Sequence, residues 1–326
     1  MMYIVILIVF FLAELFYFKL ADRFNIIDKP NERSSHKQVT MLGGGVVFYF
    51  SIVFYFLMNG FQYPWFFAGI TLISTISFID DLKPQSSKIR LTIHLVSMLL
   101  LFYQLGMLDL PWYYILIGLV LSTGILNAYN FMDGINGMIG GFNMIVLGTL
   151  WYINRNIFYF ADEKMIYYII LSLIVFNFFN FRNKARCFAG DVGAFSLSFS
   201  VVFLLGMLII KSENLIWIGV LTVYGVDTIL TIIHRLILKE NIFIAHRKHL
   251  FQLLVNELKI PHLIVSLIYS LIQLLVIVGL IVIKDNAYLY LTGVIFVLSV
   301  TYILIKIKYF HLHQIHLHKE KMNDSK

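Results

Sequence analysis

YIVILIVFFLAELFYFKL, residues 3–20, holds one acid and one base in a run of otherwise apolar or aromatic side chains. A helix rising about 1.5 Å per residue can carry such a run across a hydrocarbon layer roughly 30 Å thick. No basic segment precedes it and no clear small-residue cleavage site follows, so it reads as a first transmembrane helix and not as a removed signal peptide. Comparable runs recur along the chain. They predict helices at 3–20, 43–58, 63–79, 89–106, 111–129, 137–153, 164–180, 192–210, 214–233, 262–283 and 287–305, about 11 in all. Backbone polar groups in lipid have to be satisfied within each segment, which makes helices the economical reading.

Composition agrees. The 326 residues are 60% hydrophobic and 13% charged, about half the charged share of a soluble domain. The fold class expected is an all-α polytopic integral membrane protein with about 11 transmembrane helices and catalytic loops on one side. No internal repeat and no Pro- or Ser-rich linker divides residues 1–326, so a single domain is expected. The lone Cys187 forms no internal disulfide.

Lys and Arg orient the spans. With the N-terminus outside, the outer loops hold Arg155, Lys164, Lys211 and Lys284, 4 of the 25 basic residues, which leaves 21 for the other face. The cytoplasmic loops are then 21–42, 80–88, 130–136, 182–191 and 234–261, with a tail at 306–326. In a membrane protein the net charge of +7 reflects topology, and no nucleic-acid partner is implied.

The polar motifs collect on that same face. Asp80 and Asp81 end the third helix. Asn127, Asn130 and Asp133 end the fifth, Asp191 opens the eighth, and His246, Arg247, Lys248 and His249 lie in the long ninth loop. Asp, Asn and Gly are ordinary capping residues, which would explain any one of these alone. Four such motifs on one face point to a site at the membrane edge. Adjacent carboxylates repel unless a cation neutralises them, and carboxylate and amide oxygens suit a hard cation such as Mg²⁺. No Cys/His set has zinc spacing. Arg, Lys and His together make a phosphate clamp. Acids for a metal and bases for phosphates imply phosphoryl-type chemistry.

At these residues the chain acquires a resemblance. NAYNFMDGINGMIGG at 127–141, FIDDLKP at 78–84, AGDVGAF at 189–195 and AHRKHLFQ at 245–252 together resemble the polyprenyl-phosphate N-acetylhexosamine-1-phosphate transferases, glycosyltransferase family 4. The first loop, DKPNERSSHKQVTMLGGG at 28–45, is similar to that family's as well. The likeness implies transfer of a sugar 1-phosphate from a UDP-N-acetylated amino sugar to undecaprenyl phosphate, with release of UMP. It implies Asp191 and Asn130 as ligands of Mg²⁺, with Mn²⁺ as a substitute. Asp80, Asp81 and Asp133 would surround the nucleotide sugar and lipid phosphate, while His246, Arg247 and His249 would hold phosphates. Substrate contacts would come from His36, Lys37, Lys88, Asn127, Asn136 and Lys248. Members most similar at the fourth motif start O-antigen or capsule chains on 6-deoxy amino sugars such as FucNAc or QuiNAc; GlcNAc is the other donor the resemblance implies. The implied setting is a bacterial inner membrane, in contact with lipid, with a homodimer also compatible.

Other polar residues read as structural. Asp227, inside the ninth helix about two turns from Arg235, is expected to form a buried pair, with orientation of a catalytic group as the alternative. Glu14, His94, Gln104 and Gln273 are expected to bond between helices. His311, His313, His316 and His318 belong to an interfacial basic tail. Gly43, Gly44 and Gly45 would admit either a phosphate or a tightly packed helix. Two rival functions remain at this level. A transporter of lipid-linked sugars would carry its polar groups near mid-membrane in repeated halves. A prenyltransferase would carry DDxxD-type sites, whereas Asp80-Asp81 continues as Leu82-Lys83-Pro84.

Overall fold

A computed structural model describes residues 1–28, 39–242 and 246–324, with side chains described through His313. His36 and Lys37 lie outside the described residues. The described chain is all-α apart from a two-residue ladder. Its helices are α1 (Met2–Arg23), α2 (Val46–Met58), α3 (Pro64–Leu82), α4 (Ser87–Gln104), α5 (Trp112–Met132), α6 (Met138–Asn156), α7 (Glu163–Asn180), α8 (Gly190–Ser212), α9 (Thr222–Ile237), α10 (Leu250–Asn256), α11 (His262–Val282) and α12 (Ala287–Asp324). Each expected span corresponds to one of these elements, and the short α10 is additional. By length and composition, eight of the described segments can cross a membrane: α1, α3, α5, α7, α8, Leu215–Ile237, α11 and the first part of α12. The expected figure of about 11 is therefore not reached on this measure, because α2 is short and α4 and α6 are less apolar.

The centre of the bundle is α8. Its buried face includes Ser196, Ser198 and Ser200, whose hydroxyls donate to carbonyls three or four residues back in the same helix. Hydroxyls satisfied in this way cost little inside a membrane. Helices α2, α3 and α5 pack around it. The α2–α8 approach depends on glycine: a Cβ on Gly45 would lie 2.3 Å from the Gly193 Cα, and one on Gly193 would lie 2.6 Å from the Gly45 Cα. The Gly44 and Gly45 N–H groups donate to the carbonyls of Phe188 and Ala189 at 2.8 and 3.1 Å. The 43–45 stretch thus serves close packing against the 187–190 segment, and this is why α2 starts at Val46 and not at residue 43.

Two further departures have local causes. The ninth span is expected as one helix over 214–233, but it begins as a 3₁₀ segment, Leu215–Leu221, before α9. Gln273 of α11 repairs the join: its side-chain oxygen accepts from the Val223 N–H and its amide donates to the Gly219 carbonyl, both at 3.0 Å. The last helix continues well past 305, and its extension is held by His313 Nδ1, 2.9 Å from Glu257 Oε1. Gln104 does bond between helices, accepting from the Trp65 N–H at 3.0 Å. Glu14 accepts from the Cys187 thiol. His94 does not follow the expectation, since its ring lies against Phe195 at 4.5 Å and its Nε2 meets no hydrogen-bond partner.

The first loop's described ends pair as antiparallel β1 (Ile27–Asp28) and β2 (Thr40–Met41), and Met41 bridges in parallel to Cys187. This ladder fastens that loop to the segment leading into α8.

Candidate active site

Four helix ends meet where α8 begins. Gly190, at φ +71°, turns the chain into the helix, and a Cβ there would lie 2.7 Å from Asp81 Oδ2. The carboxylate of Asp81 then caps α8, with Oδ1 accepting from the Asp191 N–H at 2.9 Å and Oδ2 from the Val192 N–H at 3.0 Å. Otherwise unpaired N–H groups at a helix N-terminus favour a carboxylate in this position.

Asp80, one residue earlier on α3, points elsewhere. Its Oδ1 accepts from the Gln85 N–H at 2.5 Å, and its Oδ2 lies 2.7 Å from an Arg90 guanidinium nitrogen. That same Arg90 nitrogen is 3.8 Å from Asp191 Oδ2. Asp191 Oδ1 accepts from the Asn130 side-chain amide at 2.6 Å, which fixes the Asn130 carbonyl oxygen as the free acceptor of that side chain. At the C-terminal end of α5, burial, and next the charge of Asp191, hold the Asp133 carboxyl up at about 7, with the Gly190 N–H pulling the other way. The fold therefore brings Asp80, Asp81, Asn130, Asp133 and Asp191 together from α3, α5 and α8, with Arg90 of α4 bridging two of the acids. Sequence reasoning missed Arg90. Its signal was its place one turn inside a helix that starts just after the acids.

The 246–249 loop docks beside this cluster. The rings of His246 and His249 lie 5.9 and 5.8 Å from Phe131, the neighbour of Asn130, and 5.0 Å from each other. Phe251 fills the space over Gly134, where a Cβ would lie 2.9 Å from its ring. Burial, followed by the positive charge around it from His249, Arg235, Lys248 and Lys306, pushes His246 down to about 3. It is therefore a neutral imidazole near pH 7. Lys248 pairs with Glu240, and its carbonyl accepts from Lys306. Arg247 is half-buried in the same loop.

The expected Asp227–Arg235 pair is replaced by two separate sets of contacts. Arg235 donates to Glu240 at 3.2 Å and to the carbonyls of Ile242 and Asn241 at 3.0 and 2.5 Å, so it shapes the start of the loop. Asp227 accepts instead from groups on α9, α10 and α11. The two carboxylate and guanidinium groups sit about two turns apart on one helix, and each has nearer partners.

The remaining residues expected at the site are distributed unevenly. Lys88 is exposed on the first turn of α4. Asn127 lies one turn before Asn130, and its amide donates to the Thr123 carbonyl at 2.8 Å. Asn136 is buried and donates to the carbonyls of Arg182 and Asn183 at 2.8 and 3.2 Å, which ties the α5–α6 turn to the α7–α8 loop.

A divalent cation fits this cluster on donor chemistry. Among the described residues no three His, Cys, Asp or Glu side chains group as a metal cage. Mg²⁺ commonly takes one or two protein oxygens and completes its shell with water and substrate phosphates. Asp191 and the carbonyl oxygen of Asn130 offer such a pair, beside the buried Asp133 carboxyl.

The comparisons with known proteins bear on the same stretch of chain. The model of "Glycosyl transferase family 4" matches residues 63–211, which span α3 through the body of α8 and so include the acidic cluster. A Bacillus subtilis protein named "Probable undecaprenyl-phosphate N-acetylglucosaminyl 1-phosphate transferase" is 25% identical over 302 residues, 86% of this chain and 84% of that one. Proteins named "Undecaprenyl-phosphate alpha-N-acetylglucosaminyl 1-phosphate transferase" from Escherichia coli K12 and Yersinia pestis are each 28% identical. The matches cover 60% of both chains for the first and 57% of this chain and 56% of the relative for the second. The family model matches a little under half of the chain, and over that stretch the chain is similar to glycosyl transferase family 4.

Proposed function

We propose that the chain transfers an N-acetylated amino sugar 1-phosphate from its UDP derivative to undecaprenyl phosphate, releasing UMP and leaving a lipid-linked pyrophosphoryl sugar. The observation that carries the reading is the junction of an acidic cluster with a His/Arg/Lys loop at one end of a membrane bundle. A water-soluble nucleotide sugar can meet a lipid phosphate there. The names of the relatives support the acceptor and an N-acetylglucosamine donor. The fourth motif supports a 6-deoxy amino sugar such as FucNAc or QuiNAc as a competing donor, which would place the enzyme at the start of an O-antigen or capsule chain. The Lys and Arg distribution supports this end of the bundle lying on the cytoplasmic side, and the likeness to bacterial relatives supports a bacterial inner membrane.

A phosphate monoester has a second pKa of about 6, so the lipid phosphate is largely dianionic at neutral pH and needs no obligatory base. Its oxygen attacks the sugar-bearing phosphorus of the donor, the P–O bond to UMP breaks, and UMP leaves with the electron pair. Asp191 and Asn130 would hold Mg²⁺, which, when bound, supplies charge neutralisation for the pyrophosphate and the departing UMP. Arg90 shields Asp80 and Asp191 from each other and offers a guanidinium to donor phosphate. Asp81, with both oxygens engaged by α8, positions the helix that bears Asp191. Asp80 is the acid left to orient the acceptor or take a proton from its monoanion. Arg247 and His249 carry phosphate from the loop side, and neutral His246 contributes as a hydrogen-bonding imidazole.

Purified protein supplied with Mg²⁺, undecaprenyl phosphate and a panel of UDP-amino sugars should release UMP with at least one donor. A transporter would release none, and a prenyltransferase would release pyrophosphate from a prenyl donor instead.

A further inference from the structure

His249 stands in the ninth loop at the start of α10. Its ring is buried, and Nδ1 lies 3.2 Å from Asp227 Oδ1. A carboxylate accepts and does not donate, so Nδ1 carries the hydrogen and Nε2 is left with either a lone pair or a second proton. That Nε2 is buried without a hydrogen-bond partner.

Asp227, equally buried, is supported from several sides. The Thr231 hydroxyl and the Leu250 N–H donate to Oδ1 at 3.1 and 3.0 Å, and the Tyr269 hydroxyl donates to Oδ2 at 2.7 Å. Thr231 in turn shares a 2.8 Å hydrogen bond with Tyr302. Groups of α9, α10 and α11 therefore converge on this carboxylate, and α12 joins them through Thr231. Anchoring α10 would need only the bond from Leu250. The additional bond to the imidazole fixes a tautomer, and it leaves unsatisfied the one ring nitrogen for which a buried partner is otherwise costly to lack.

We infer that Asp227 is a positioning residue for the transfer reaction: it holds His249 as the Nδ1–H form so that Nε2 alone is left to meet a phosphate oxygen of the bound substrates. The inference rests on the reaction proposed above. When Nε2 is protonated, the imidazolium donates to that oxygen while Asp227 balances its charge. No covalent bond to either residue changes. The same logic operates where a carboxylate orients a metal-bound or catalytic histidine through its far nitrogen.

The test pairs spectroscopy with a double-mutant cycle. In ¹⁵N-histidine NMR spectra of the full chain in detergent, the signals removed by His249→Gln should show the hydrogen on Nδ1, and Asp227→Asn should move it to Nε2. In UMP-release assays, Asp227→Asn should lower kcat/KM about 10–100-fold. The Asp227→Asn/His249→Gln double variant should be no slower than His249→Gln alone. Should Asp227→Asn not fold, Asp227→Glu takes its place; it keeps the tautomer and still displaces the ring. An Nε2–H form in the wild type, or losses that multiply in the double variant, would overturn the inference while leaving the reaction intact. A wild type that releases no UMP with any UDP-amino sugar would instead remove the reaction and the positioning role together.

Discussion

Asp81 caps the helix that Asp191 begins, its Oδ1 accepting the Asp191 backbone N–H at 2.9 Å. The neighbouring Asp80 faces Arg90 instead, at 2.7 Å. Two adjacent carboxylates thus do different work, one holding α8 in place and the other engaged by Arg90 and the Gln85 N–H.

Substitutions should separate these roles. Asp81→Asn keeps one acceptor oxygen but sets an amide against the second helix N–H, so it should cost about 1 kcal/mol or more in stability and lower the thermal midpoint together with activity. Asp80→Asn breaks a partly exposed ion pair worth at most about 1 kcal/mol and should leave the midpoint nearly unchanged while slowing UMP release. Equal midpoints for the two variants would contradict the assignment.

Arg90 should act both as a substrate contact and as a competitor for the cation. Arg90→Ala should lower UMP release about 10–100-fold, with Arg90→Lys milder because it keeps the charge without the planar fork. In the absence of nucleotide, Arg90→Ala should also reduce the Mg²⁺ concentration needed for half-maximal thermal stabilisation, since Asp191 loses a resident positive neighbour. A higher Mg²⁺ requirement would show that Arg90 helps to build the metal site.

Asp133 should give the metal-free protein a pH-dependent stability. Its carboxyl is raised from 3.8 to about 7 by burial and then by the charge of Asp191. The native state keeps a proton that the unfolded chain releases from about pH 4 upward. The stabilisation is full below about pH 4 and is lost as pH rises through about 7. With metal removed by chelation, the thermal midpoint of the wild type should be lower at pH 8 than at pH 6, and Asp133→Asn should reduce that difference. An unchanged slope in the variant would place the titration on another group.

Glycine packing makes a prediction independent of chemistry. Gly45→Ala drives a methyl into the Gly193 backbone and should abolish the folded protein. Gly148, inside α6 with open space where a Cβ would stand, should accept alanine with unchanged or slightly higher stability. Detergent-solubilised yield and elution on gel filtration distinguish the two.

Much of the fold could be read directly, because an apolar run of spanning length has one economical structure in lipid. The acids were legible as a set because each ends or begins a helix on the same face. What separates Asp80 from Asp81 was not: side chains one residue apart on a helix diverge by about 100°, and only the position of α8 and Arg90 decides which faces what. Asp227 misled for a similar reason. Arg235 is its neighbour in sequence and on the helix surface, but His249, 22 residues on, reaches it only because the ninth loop folds back. Lys248 and Asn136 looked available for substrate, yet they are engaged by Glu240 and by the Arg182 and Asn183 carbonyls, contacts that no local pattern announces. The break in the ninth span carries no proline, only Gly219 just before it, and Gln273, far along the chain, is what makes it tolerable.

The most direct measurement is UMP release from UDP-N-acetylglucosamine and its 6-deoxy relatives by the purified protein, with and without undecaprenyl phosphate and with Mg²⁺ present or chelated. The account predicts release that requires both the lipid phosphate and the cation and that Asp191→Asn abolishes. Release that proceeds undiminished without lipid phosphate, or in the Asp191→Asn variant, would contradict it.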